Sequence, residues 1–197
     1  MPQPKILAFA GSTRKQSFNK KLVCVAADLA RQNGAKVTVI DLNDFPLPLF
    51  DEDLEASQGF PQNADKLFEL FKSHDALLLS SPEYNSSISA VLKNAIDWVS
   101  RPRPDEIRMA AFVNKIATLL SASPGQLGGL RGLVHVRSIL SSIGVLVLPD
   151  QLTLSNAHEA FAEDGLLIDK QTHNRLASAV NNLVSITRRL KAESCDT

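Results

Sequence analysis

Five short apolar runs alternate with helix-like stretches along this chain, and that alternation limits the fold more than any other feature. The runs are Ile6–Ala10, Val37–Ile40, Ala76–Ser80, Lys115–Leu120 and Val145–Leu148. Each is nearly unbroken in apolar character, as in strands buried on both faces of a parallel sheet. Between them apolar residues recur at helical spacing. Leu22, Val25, Ala26 and Leu29 form one such stripe, Ala64, Leu67, Phe68 and Phe71 a second, and Val91, Leu92, Ala95, Ile96 and Val99 a third. Leu133, Val136, Ile139, Leu140 and Ile143 form a fourth, and a last helix is expected from Asp169 to Leu190. Pro149 reads as the stop of the fifth strand. Residues 43–62, broken by Pro46, Pro48 and Pro61, read as a long acidic loop with one short helical turn. Strand and helix repeated in this way predict a doubly wound, five-stranded parallel sheet with helices on both faces. Five strands are too few for an eight-fold barrel. With no linker and no internal repeat, residues 1–197 read as one domain.

Composition narrows the function. Lys plus Arg and Asp plus Glu both number 21, so the formal net charge is zero. That balance offers no case for a nucleic-acid partner and little repulsion against self-association. No apolar run approaches membrane-spanning length, and the N-terminus lacks the apolar core of a signal peptide. The two cysteines, Cys24 and Cys195, are too few for a disulfide framework. A reducing, cytoplasmic location is therefore expected, with Cys24 as an inert core residue inside a helix.

Ligands of doubly wound sheets bind at the carboxyl ends of the strands, so the loops after strands one, three and four matter most. The first, Gly11 to Asn19, holds Ser12, Arg14, Ser17 and Asn19 and leads into a helix N-terminus. Its hydroxyls, amide and free N–H groups suit a phosphate, with Arg14 pairing to it. It lacks the glycine pattern of dinucleotide sites and the Gly-Lys-Ser/Thr end of a P-loop, so a monophosphate fits better than a pyrophosphate. The bland alternative makes Ser17 an N-cap and Arg14 a solvated charge. The second loop, Ser81 to Ser87, carries Tyr84, the only tyrosine, and Asn85. These either flank a planar ring or serve as ordinary turn residues. The third, Ser121 to Gly129, has glycines that allow close backbone approach. Together the three loops imply a crevice for a flat, phosphorylated molecule.

None of the histidines has metal-ligand spacing to a cysteine or another histidine, and no nucleophile elbow occurs. Glu83 is the one carboxylate in these loops. A site without nucleophile, base or metal points to a cofactor that brings its own chemistry.

The motifs Gly11-Ser12-x-Arg14-x-x-Ser17-x-Asn19, Pro82-Glu83-Tyr84-Asn85, Leu92-Lys93-Asn94-Ala95-Ile96-Asp97-Trp98 and Ser123-Pro124-Gly125 through Gly129 resemble the signatures of the NADPH-dependent FMN reductase family. The resemblance runs from about Lys5 to Leu190 and implies a flavodoxin-like fold of strand order 2-1-3-4-5. It implies FMN phosphate held by Ser12, Arg14, Ser17, Asn19 and the backbone of Phe18. It implies an isoalloxazine ring against Pro82, Glu83, Tyr84 and Asn85, bordered by Ser121, Ser123 and Gly125. Ser86, Ser87, Ser89 and Ala90 depart from the family pattern and alter the expected substrate opening. The implied activity is ping-pong hydride transfer from NADPH or NADH, through FMN, to a small-molecule acceptor: a quinone, free flavin, azo compound or chromate. No side chain reacts in that scheme. The rival is a flavodoxin-type electron-transfer protein that holds FMN for a protein partner. Arg101 and Arg103 read either as contacts to the donor's 2′-phosphate or as solvated charges. A homodimer or homotetramer is also implied. The apolar breadth of the Ile88–Val99 stretch, Trp98 included, calls for a second cover, from another subunit or from the Pro102–Pro104 segment.

Overall fold

A strand covered on both faces needs an apolar side chain at every position, and Ile6 to Ala10 meet that demand, none exceeding 3% exposure. The computed structural model describes residues 2–193. It contains five parallel strands, β1 Lys5–Ala10, β2 Lys36–Asp41, β3 Ala76–Ser80, β4 Ile116–Ala122 and β5 Leu146–Leu154. Their order is β2-β1-β3-β4-β5, with β1 paired in parallel to both β2 and β3. The crevice between β1 and β3 is thus the switch point where such sheets take ligands.

Side chains alternate along each strand and divide the core in two. Ile6, Ala8 and Ala10 face α1 (Phe18–Gln32) and α6 (Lys170–Glu193). Leu7 and Phe9 face α3 (Gln62–Lys72), α4 (Ala90–Val99) and α5 (Leu130–Ser142). The remaining helix, α2 (Glu52–Gln58), follows a 3-10 turn at Leu42–Asp44 within the proline-rich stretch. No helix among the described residues is long and apolar enough to cross a membrane.

The structure corrects four expectations. Pro149 does not end the fifth strand, which runs on to Leu154. Between Ala117 and Leu119 the register shifts, so β5 advances from Val147 to Gln151 while β4 advances two residues. Pro149 lies in that bulge, where its missing N–H costs no ladder bond. Nor does Trp98 need a second subunit or the Pro102–Pro104 segment. It is fully buried, its indole N–H donates to the Pro48 carbonyl at 2.9 Å, and Phe50 meets its ring edge-on at 5.0 Å. Asn94 ties down the same strap, accepting from the Phe50 N–H and donating to the Pro48 carbonyl, both at 2.8 Å.

Arg101 and Arg103 are not free charges, because both are held in ion pairs. Arg101 pairs with Glu55 at 2.7 Å and lies over the Phe50 ring. Arg103 pairs with Asp65 at 2.6 Å and stacks 3.4 Å from the centre of Phe60. Two acidic residues of the 43–62 stretch, Glu52 and Glu55, are thus counter-ions of Arg101. Finally, Cys24 is exposed rather than core; burial of part of its surroundings and nearby Asp28 still push the thiol pKa up. Cys195 lies outside the described residues.

At the amino edge of the sheet, buried Lys115 donates to the carbonyls of Lys72 and His74 at 3.3 and 2.5 Å. It thereby satisfies carbonyls at the end of α3. Burial pushes its pKa down to about 8.

Candidate functional site

The carboxyl ends of β1, β3 and β4 are knitted together beyond the strands themselves. The Gly11 N–H donates to the Ser80 carbonyl at 2.9 Å and the Ser81 N–H to the Leu120 carbonyl at 2.8 Å. Ser89, the N-cap of α4, accepts from the Leu92 N–H and donates to the Gly11 carbonyl at 2.6 Å. A Cβ at Gly11 would stand 2.9 Å from Leu92, so only glycine lets α4 sit this close.

The first loop then enters α1. Ser17 occupies the N-cap position, but its buried side chain makes no capping bond. The first backbone N–H bond into the helix is from Lys21 to Ser17. That leaves the N–H groups of Phe18, Asn19 and Lys20 without partners among the described residues, as the opening of a helix requires. No acidic side chain occupies that turn. Buried Ser12 accepts from the Arg14 N–H at 3.3 Å. Free N–H donors and the hydroxyl residues Ser12 and Ser17 stand at a positive helix end, with Arg14 lining the same cavity, the chemistry a phosphate dianion needs. The donor set therefore fits the phosphate of FMN.

The Asn19 amide is not one of those donors. Its Oδ1 accepts from the Ser80 hydroxyl and the Ala122 N–H, and its Nδ2 donates to the Ala122 carbonyl at 2.9 Å. Asn19 instead pins the loop to β3 and β4, while its backbone N–H stays without a partner among the described residues.

Ser12, Arg14, Ser17, Phe18, Asn19, Pro82, Glu83, Tyr84 and Ser123 line one cavity of about 60 Å³, together with Ala122 and Pro124. Such a space suits a phosphoryl-sized group, with any ring lying outside it. A larger hollow of about 840 Å³, lined in part by Lys115, opens at the amino edge, the wrong end of a doubly wound sheet. Asn85, Ser121 and Gly125 do not line the smaller cavity. Ser121 is fully buried and donates to the Ser81 carbonyl at 2.7 Å. The Gly125 N–H donates to the Ser123 hydroxyl at 3.2 Å. Asn85 and Ser86, at φ 50° and 66°, form the tip of a tight turn closed by reciprocal bonds between Tyr84 and Ser87. The turn leaves Tyr84 48% exposed.

Glu83 points to α5, not to solvent. Its carboxylate accepts from the Arg131 guanidinium at 2.8 and 2.5 Å and from the Gly132 N–H at 3.1 Å. Burial pushes its pKa up, but the Gly132 and Arg131 donors outweigh that and hold it below the usual carboxylate range. Sequence reasoning missed Arg131 and Gly132 because nothing local marks a partner 48 or 49 residues away. It also left open the stretch after β5. There Ala157 donates to the Ser123 carbonyl at 3.1 Å, and Phe161 stacks parallel to Phe18 with ring centres 6.4 Å apart, buttressing the start of α1.

Comparison with known proteins places the whole chain among flavin-dependent reductases. Residues 4–159 match the family model described as NADPH-dependent FMN reductase. The chain is 35% identical, over 95% of its length and 97% of the other's, to an NAD(P)H-dependent FMN reductase of Pseudomonas aeruginosa. It is 34% identical, over 98% and 96% of the two chains, to an NADPH:quinone oxidoreductase of Arabidopsis thaliana. Among solved structures it resembles FerB, a flavoenzyme NAD(P)H:(acceptor) oxidoreductase of Paracoccus denitrificans. The TM-score is 0.81 at 28% identity, covering 94% and 98% of the chains. Phosphate-ready helix, exposed aromatic turn and whole-chain similarity converge, and the chain belongs to the NADPH-dependent FMN reductase family.

Proposed function

We propose that this flavoprotein passes hydride from NADPH or NADH, by way of bound FMN, to a quinone, free flavin, azo compound or chromate in a ping-pong cycle. The flavin supplies the redox chemistry when bound. The observation that carries the reading is the donor-rich N-terminus of α1 beside the exposed Tyr84 turn. Ser12, Arg14, Ser17 and the N–H groups of Phe18 and Asn19 hold the phosphate. Pro82, Glu83, Tyr84 and Asn85 form the wall beside the ring, with Ser123 and Gly125 shaping its other border and buried Ser121 bracing the Ser81 carbonyl behind it. Glu83, already engaged by Arg131 and Gly132, is a brace and not a general base. An open face next to an exposed turn selects weakly among acceptors, which is why one broad class is named.

The reading places the protein in the cytoplasm as a homodimer or homotetramer. Leu127, Leu130 and Val134, all exposed at or near the start of α5, supply an apolar surface for a second copy, and light scattering tests it. For the activity, the flavin-loaded protein is mixed anaerobically with NADH or NADPH in a stopped-flow instrument. Rapid loss of flavin absorbance, and its return on adding a quinone, is the expected result. Bound FMN that neither donor bleaches would favour an electron-transfer protein served by a partner.

A further inference from the structure

α5 begins without a cap of its own. Its N-cap residue is Gly129, at φ 90°, with no side chain to accept from the first turn. Glycine is required there, because a Cβ would stand 1.9 Å from the Ser121 hydroxyl. The missing acceptor comes from another loop. Glu83 accepts the Gly132 N–H at 3.1 Å and places its charge at the positive end of the helix. Arg131, one residue earlier, grips the other oxygen through Nε and Nη2. Four residues on, and so on the same side of the helix, His135 Nδ1 lies 2.8 Å from the Ser87 hydroxyl. Between these two contacts the turn presses directly on the helix. A Cβ at Gly132 would meet the Ser87 carbonyl at 3.2 Å and the Glu83 Cβ at 3.3 Å.

The turn itself has reason to move. Asn85 and Ser86 both hold left-handed φ, a conformation that costs a non-glycine residue about 1 kcal/mol or more. Two backbone bonds close it. Contacts at both ends of the turn, from one helix, keep that conformation in place.

We propose that Arg131, Gly132 and His135 are positioning residues for the flavin ring, which clamp the Glu83–Ser87 turn onto α5 and so fix where Tyr84 stands. The clamp rests on the reading above only in its second half, that this turn flanks the ring. Arg131 acts through Glu83, and His135 through Ser87. Neither needs to touch the flavin. Because Arg131 also neutralises Glu83, its loss leaves a carboxylate without a counter-charge, held only by the Gly132 N–H, in the wall beside the ring. That charge disfavours a reduced, anionic flavin.

Two measurements on the full-length chain separate the halves. In the flavin-free protein, hydrogen exchange over residues 82–88 reads the clamp. Arg131→Ala is expected to speed exchange of the Tyr84 and Ser87 amides by about tenfold, with Arg131→Lys in between. Arg131 is largely exposed, so the variant keeps its fold, and His135→Gln gives an independent lesion at the other end. In the FMN-loaded protein, Arg131→Ala is expected to alter the visible circular dichroism of the flavin, lower its midpoint potential and raise KM for a quinone by about tenfold. The affinity for FMN, set by the first loop, changes little. Adding Glu83→Gln to Arg131→Ala removes the stray charge and returns the potential toward that of the parent, which a merely structural role would not do. Unchanged exchange in both single variants overturns the clamp. Faster exchange with an unchanged flavin spectrum, potential and KM overturns the positioning role. Failure of the parent protein to bind FMN overturns the functional reading instead, while the exchange experiment still decides the clamp.

Discussion

Asn19 and Ala122, 103 residues apart, bond to each other twice, amide to backbone in both directions. The side chain behaves like a short piece of strand laid against the end of β4, and it carries the N-terminus of α1 with it. One residue thereby ties the start of α1 to the ends of β3 and β4.

Asn19→Ala strands the Ala122 N–H and carbonyl and the Ser80 hydroxyl in the interior. The expected loss is about 3 kcal/mol of stability, read as a lower urea midpoint at unchanged slope. Flavin affinity falls as well, because the helix N-terminus is no longer held in register with the strands.

Arg14→Ala leaves the fold intact, since its guanidinium makes no contact in the described chain that packing depends on. The expected effect is a loss of about 2 kcal/mol in FMN binding, roughly thirtyfold in Kd by fluorescence titration. The rate of flavin reduction in the fully loaded variant stays close to that of the parent. Equal affinity in the two proteins would remove Arg14 from the phosphate site.

Thr118 lies in β4 opposite the bulge of β5, and its fully buried hydroxyl has no partner among the described residues. Thr118→Val keeps the shape and removes the orphaned group. It should raise stability by about 1 kcal/mol in urea unfolding.

Lys115 is expected to make stability rise with pH in alkaline solution. Burial has lowered its folded-state pKa to about 8, against an ordinary 10.5. Between those values the unfolded chain holds a proton that the folded chain has released, so each step up in pH favours folding. Below about 8 both states are charged, and the cost of burying the ammonium is felt in full. Lys115→Met should abolish this rise in a pH series of denaturation midpoints.

Strand and helix positions were legible because each rests on local pattern: unbroken apolar runs and helical stripes. The strand order followed from the family resemblance, not from any local pattern. What was not legible depends on partners distant in sequence. Trp98 looked like an interface residue because its cover, Pro48 and Phe50, lies in a stretch with no periodicity of its own. Arg101 and Arg103 looked free because their carboxylates come from α2 and α3. Asn19 read as a ligand donor because its spacing gives no hint that Ala122 claims the amide. The fifth strand was cut short because a proline normally ends one, and only an edge position with a bulge makes Pro149 harmless.

That bulge has a further effect. β5 is the last strand of the sheet, and an open edge invites pairing with other chains. Pro149 and the residues displaced around it break the row of N–H and carbonyl groups that a foreign strand would need. The proline that fails to stop the strand instead stops the sheet from growing, and guards the protein against edge-to-edge aggregation.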